Sequence, residues 1–336
     1  MKYNCGQVTS DRANSMKTCR FLFVIAAALV LPFVCATAFA QNPEPTPRQN
    51  QRVRTVTIPI SIFTKQELKQ DQAEEFIQAD RLIVKEDKDE QTILSIRSVA
   101  NTPLTLAVLI QDDLSSNFNL QIQQLKRFIT TLPRGSRVMV AYLRGGSIQI
   151  TQKFTDDLAK AANQIRIVTS SAATAPRNPY DGVIDALDRF DALPYGRRAI
   201  ILISDGLDAS QGLGGISPSQ SLDLDRAILR AQRKSVAVYT IYSPASLTEN
   251  GSGTLVLVAQ GGLQRLSDET GGSAFFQGSI APVSFDPFFK DLSIMLNRQF
   301  ALTYLSTHMK KGYHKLEVTS TNPAIKIEHP KGYYAR

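Results

Sequence analysis

The chain has 336 residues, 43% hydrophobic and 20% charged, with 19 Gly and 16 Pro; this balance excludes collagenous and low-complexity proteins and suffices for one large and one smaller folded unit. The formal net charge is +8 with no Lys/Arg block, which argues for a solvated surface and against a nucleic-acid footprint. The three cysteines, Cys5, Cys19 and Cys35, all fall in the first forty residues, so no disulfide or thiol chemistry is expected of the rest.

Those forty residues read as an export signal. From Met16, Lys17 and Arg20 form a positive region, residues 21–34 are apolar, and Ala38-Phe39-Ala40 supplies a cleavage site before Gln41. An uncleaved anchor is the alternative, because the apolar stretch nearly reaches the roughly 20 residues of a spanning helix. Met1 and Met16 are alternative starts, and Val34 before Cys35 disfavours lipid attachment. Lys2, Arg12, Lys17 and Arg20 against Asp11 account for three of the eight positive charges, leaving +5 from Gln41 onward. Secretion to a bacterial periplasm or cell surface is expected.

Residues 41–51, with Pro43, Pro45 and Pro47, read as a linker. Residues 52–102 read as a β-rich segment. A strand over 53–62 is demoted to an edge or bulge by Pro59, an acidic turn covers 85–90, and a second strand covers 92–99; 65–78 can form a helix. From Pro103 the rhythm changes. Strand-like runs at 104–110, 137–143, 148–154, 199–204, 236–242 and 274–277 alternate with helical segments at 120–132, 155–167, 181–190, 222–232, 256–270 and 287–297. This predicts an α/β domain over 103–299, a Rossmann-like doubly wound, mostly parallel sheet. Strands at 300–305, 312–318 and 325–334 form a C-terminal β segment over 300–336. With 52–102 it is expected to make a flanking β-sandwich-like unit.

In such sheets ligands sit beyond the carboxyl ends of the strands. There the sequence places Gln111-Asp-Asp-Leu-Ser-Ser-Asn117 and Ser204-Asp-Gly-Leu-Asp208. Carboxylates and hydroxyls on two strand ends make an oxygen-only set that suits Mg²⁺, Ca²⁺ or Mn²⁺ better than zinc or copper. A helix cap at Asp112 or Asp113 and a turn at Asp205-Gly206 explain the same residues without an ion.

The order of strand, Asp-x-Ser motif and helix, then Leu-Ile-Ser-Asp-Gly, Val-Ala-Val-Tyr-Thr-Ile and a late Leu-Ser-Asp-Glu-Thr-Gly-Gly resembles the von Willebrand factor A domain, and most of all the exported VWFA-related proteins of acidobacteria. The resemblance covers residues 104–298, and the flanking β segments fit it. It implies a metal held by oxygen ligands from three loops, with an acidic residue of a protein partner completing the coordination. Carried over, the ligands are Asp113 and Ser115, Asn117 in place of the second serine, and Asp205; a shifted register uses Asp112 and Ser116. Arg177 stands where a threonine ligand belongs, with Thr174 three residues too early, so a guanidinium is expected near the site. Asp208 is placed with Arg177 at the ligand-binding face.

Arg144-Gly145-Gly146-Ser147 and Gly212-Leu-Gly-Gly215 lack the lysine of a phosphate loop and read as turns. His308, His314 and His329 are the only histidines, all in the C-terminal segment, and are expected to be exposed there. A Ser-His-Asp hydrolase therefore lacks an evident base. Phe275, Phe276, Phe285, Phe288 and Phe289 read as core. The leading expectation is a non-enzymatic binding module for adhesion or assembly with a protein ligand. A metal-assisted hydrolase built on Asp113, Asp205 and Asp208, or a purely structural envelope protein, are the alternatives.

Overall fold

The computed structural model describes residues 53–64, 82–99, 102–145, 147–176, 178–194, 196–210, 212, 217–249, 253–278 and 280–335. The expected signal segment, the linker, the helix over 65–78, all three cysteines and Arg177 lie outside the described residues.

In chain order, β1 (Arg54–Thr64), β2 (Leu82–Glu86) and β3 (Asp89–Ser98) precede β4 (Leu104–Gln111), α1 (Ile122–Thr130), β5 (Arg137–Arg144), β6 (Ser147–Thr155) and α2 (Leu158–Asn163). There follow α3 (Pro179–Arg189), β7 (Arg197–Ser204), α4 (Leu222–Lys234), β8 (Ala237–Tyr242), α5 (Gly253–Thr270), β9 (Ala274–Phe275) and α6 (Asp286–Asn297). The last strands are β10 (Gln299–Ser306), β11 (Gly312–Ser320), β12 (Ile325–Glu328) and β13 (Gly332–Ala335).

A six-stranded mixed sheet has the order β6-β5-β4-β7-β8-β9. β4, β5, β7 and β8 are near-continuous apolar runs because both faces are covered. Ile201 and Ile203 join α1 and α6 residues in one cluster, while Ile200 and Leu202 join residues of α3, α4 and α5 in another. The pairings are parallel except β5 with β6. The antiparallel edge follows from the Gly-rich segment at 144–147: Arg144 pairs with Ser147, so the connection has two residues, too few for a crossover. Phe275, Phe285 and Phe289 are buried in the first cluster as expected, with Phe288 packed against it.

The flanking unit is not a sandwich of two sheets. It is one seven-stranded antiparallel sheet, ordered β12-β1-β10-β3-β2-β11-β13. The sheet curls: Ile325 and Ile327 at one end and Tyr333 at the other pack on the same cluster of Val56, Ile58, Ile60, Ile62, Val84, Leu302, Tyr304, Leu316 and Val318. Pro59 pairs with Ala301 of β10 on one side, whereas β12 reaches only Ser61–Thr64 on the other, so the proline occupies a local edge. Asp87 and Lys88, at φ 50° and 81°, close a two-residue hairpin between β2 and β3. The acidic run expected to be only a turn thus contains the end of one strand and the start of the next.

Candidate functional site

The order β4-β7-β8 places the end of β7 between its two neighbours, and the loops after β4 and β8 meet above it. Ser115 N–H donates to Pro244 O at 2.8 Å, Ser246 N–H to Asp113 O at 3.3 Å, and Leu114 bridges Ala245. Beneath this bridge lie Asp113 and Asp205, 1% and 2% exposed. Gln111 ties the first two loops together: its Nε2 donates to Asp113 Oδ1 at 2.9 Å, while its Oε1 accepts from Ser204 Oγ at 2.5 Å and Asp205 N–H at 3.2 Å. The β8 loop closes the arrangement, since Ser246 Oγ donates to Asp113 Oδ2 and Thr248 Oγ1 to Asp205 Oδ2 at 3.1 Å. Leu207 N–H donates to Asp205 Oδ1 at 3.0 Å.

The turn after Asp205 requires glycine. Gly206 has φ +75°, and a Cβ there would lie 2.6 Å from Ala259 O. Its carbonyl accepts from Tyr180 Oη at 3.0 Å, which ties α3 to the site. Burial pushes the Asp205 carboxyl up to about 7, and the Asp113 charge acts in the same direction against the hydrogen bonds from Leu207, Thr248 and Gln111.

All four carboxylate oxygens of Asp113 and Asp205 therefore accept hydrogen bonds from the chain itself. A hard divalent cation needs about six oxygen ligands, and the buried Ser115 Oγ is the one atom of this set without a partner. So arranged, the residues do not fit a divalent ion. The other expected ligands are not brought to this point. Ser116 and Asn117 are exposed in a short 3₁₀ turn. Asp112 is engaged by Arg166 at 2.8 Å and Arg144 at 4.0 Å. Asp208 accepts from Ser210 N–H at 3.0 Å and Ser221 Oγ at 2.5 Å, anchoring the start of α4. Thr174 is buried and donates to Ser171 O at 2.8 Å. Arg166 supplies a guanidinium beside the first loop that the sequence reading had not singled out.

No protein-family model matches the sequence, and no curated protein does. Solved structures similar to the chain include the conserved hypothetical protein BatB from Bacteroides thetaiotaomicron, 14% identical, covering 56% of this chain and 95% of that one at a TM-score of 0.41. Others are a von Willebrand factor type A protein from Catenulispora acidiphila, at 11% identity, 78% and 75% coverage and TM-score 0.40, and an aerotolerance-related membrane protein from Bacteroides fragilis, at 14%, 58% and 98%, and 0.39. Among the described residues no helix is long and apolar enough to cross a membrane.

Two groups escaped the sequence reading. The Ser243–Thr248 loop carried no family motif, although a Ser-Pro-Ala-Ser stretch directly after a buried strand was a usable signal. The histidines expected to be exposed are not: His314 and His329 are 3% and 5% exposed. His329 Nε2 accepts from Val318 N–H at 3.2 Å, and His314 lies beside Glu86 and Asp87 at the β2–β3 hairpin, its Nδ1 3.2 Å from Glu86 Oε1 and 2.7 Å from Asp87 Oδ2.

Proposed function

We propose that the chain is an exported, doubly wound von Willebrand factor A-like module that binds a protein partner at the carboxyl ends of β4, β7 and β8, without turnover. The observation that carries this reading is the apolar rim of the site. Leu120 and Ile167 are 74% and 66% exposed, and the segments that carry them are tied together where Asn119 exchanges two hydrogen bonds with the backbone of Val168, at 3.1 and 2.9 Å. Leu247, on the loop that covers Asp113, is also exposed. Exposed apolar side chains beside a polar centre whose carboxylates are satisfied within the chain suit a protein interface. The strand-end residues described include no histidine to serve as a hydrolytic base, which supports binding over catalysis.

In this reading the Asp113–Asp205 cluster is a degenerate ion site that holds the loops, and partner capture is independent of Mg²⁺, Ca²⁺ and Mn²⁺. The test is capture from an envelope extract by the immobilised chain, with and without EDTA, beside a Leu120→Asp/Ile167→Asp variant. Capture by the wild type that survives EDTA and is lost in the variant is expected. The same proteins retained by both chains would sink the proposal.

A further inference from the structure

Outside the strand-end site, the curled sheet gathers two carboxylates and two imidazoles from opposite ends of the chain. Glu86 ends β2, Asp87 begins the hairpin turn, His308 lies between β10 and β11, and His314 lies in β11. The ligand atoms of Glu86, Asp87 and His314 all lie within 4.8 Å of one another. His308 Nδ1 is 3.8 Å from Glu86 Oε1, and the two imidazole centroids are 5.9 Å apart.

The orientation of the rings is the informative feature. His314 Nε2 lies 2.7 Å from Lys310 O, and a carbonyl oxygen only accepts, so Nε2 carries the proton. His308 Nε2 is in turn 3.1 Å from Asp89 Oδ2 and donates to it. Each ring's Nδ1 therefore faces a carboxylate, and at His314 it stands at hydrogen-bond distance, 2.7 Å, from Asp87 Oδ2. A nitrogen and a carboxylate facing each other are joined by a cation, either a proton on Nδ1 or a metal ion in its place. Two atoms at this point are buried without a hydrogen-bond partner, Glu86 Oε2 and His308 Nδ1, and the Glu86 side chain is fully buried. Tyr333 Oη donates to Glu86 Oε1 at 2.8 Å, Arg54 Nη2 lies 3.5 Å from the same oxygen, and the Tyr304 hydroxyl also interacts with this carboxylate, so a metal held by Oε1 would share that oxygen with Tyr333.

We propose that Glu86, Asp87, His308 and His314 form a Zn²⁺ site. Two imidazole nitrogens and two carboxylates are a zinc-type donor set, whereas Mg²⁺ and Ca²⁺ take oxygen alone. With metal–ligand distances near 2.0–2.1 Å, tetrahedral ligands stand roughly 3.3 Å apart; Glu86 Oε1 lies 3.2 Å from His314 Nδ1 and 3.8 Å from His308 Nδ1, and His308, outside the 4.8 Å group of Glu86, Asp87 and His314, has to swing in as the fourth ligand. Asp87 Oδ2, 2.7 Å from His314 Nδ1, has to open by about half an ångström. The imidazoles are aimed from behind by Asp89 and the Lys310 carbonyl, the arrangement in which an oxygen on the far nitrogen fixes the tautomer that ligates. Two anionic ligands balance the charge of the ion.

The test uses the full chain, stripped with a chelator and titrated with Zn²⁺, and with Co²⁺ to read the visible bands of a tetrahedral cobalt centre. One ion per chain is expected, with an intense cobalt spectrum. His308→Ala, at a half-buried position that tolerates truncation, weakens binding by more than the roughly 10- to 100-fold typical of losing a group behind a ligand, and Glu86→Gln abolishes the tetrahedral spectrum. Asp113→Asn leaves binding unchanged, separating this centre from the strand-end cluster. Absence of saturable binding, or binding that His308→Ala leaves intact, overturns the proposal and leaves a carboxylate–imidazolium network in its place.

Discussion

At the scale of single residues, Asp205 ties the architecture to pH. Its carboxyl ionises at about 7 in the folded chain against an ordinary 3.8, chiefly because it is buried. Between those values the folded chain holds a proton that the unfolded chain has released. Stability is therefore full below pH 4, falls as pH rises toward 7, and levels off above it. Three pKa units correspond to roughly 4 kcal/mol. Asp205→Asn should flatten this window: urea midpoints at pH 5 and pH 8 should differ markedly in the wild type and far less in the variant. The variant can fold because the Thr248 hydroxyl can turn from Asp205 toward Ala245 O, 3.4 Å away, and accept from the new amide. An unchanged pH dependence would mean that another group carries the effect. Asp113 and Asp205 were legible in the sequence because they directly follow buried strands. Gln111 and Thr248 were not, since nothing in their own sequence reveals that a side chain will span two loops. The histidines were misread for a related reason: more than 200 residues separate Glu86 from His308 and His314.

At the scale of elements, the helices were legible where local chemistry and packing agree. Ser221 caps α4, accepting from Leu224 N–H at 3.2 Å while donating to Asp208, and Asp223 and Asp225 in the first turn with Arg233 and Lys234 in the last suit the helix dipole. Ser221→Ala should cost about 1–2 kcal/mol, read as a lowered urea midpoint at unchanged slope. It removes both the cap and a partner of Asp208. Where tertiary structure overrode the local pattern, the sequence misled. The helix expected over 155–167 is reduced to Leu158–Asn163, capped by Asp157. Beyond it, Tyr142 Oη accepts from Arg166 N–H at 2.7 Å and donates to Arg166 O at 2.9 Å. Those bonds, and the pairing of Arg166 with Asp112, hold the backbone outside a helix.

At the scale of the whole molecule, the alternation of apolar strands and helices conveyed the mixed α/β sheet, and the β character of both flanks was equally plain. That the flanks interleave into one curled sheet was not legible, because strand alternation specifies which face is buried and not which strand is the neighbour. β11 pairs with β2, and β12 with β1. Deleting residues 312–336 should therefore open both ends of the sheet and expose the cluster around Val56, Val84 and Leu302, seen as increased binding of a hydrophobic dye and loss of soluble monomer. A monomeric deletion variant with unchanged dye binding would show that β1–β3 and β10 hold together alone. The same pairing scheme orders events during synthesis. β1 and β3 both flank β10, whose residues leave the ribosome some 200 positions later. β1, whose partner strands are β10 and β12, must wait for both, whereas β2 and β3 can pair at once as a hairpin. The six-stranded sheet can also close before β10 is made, so the curled sheet is the last part of the fold to be completed.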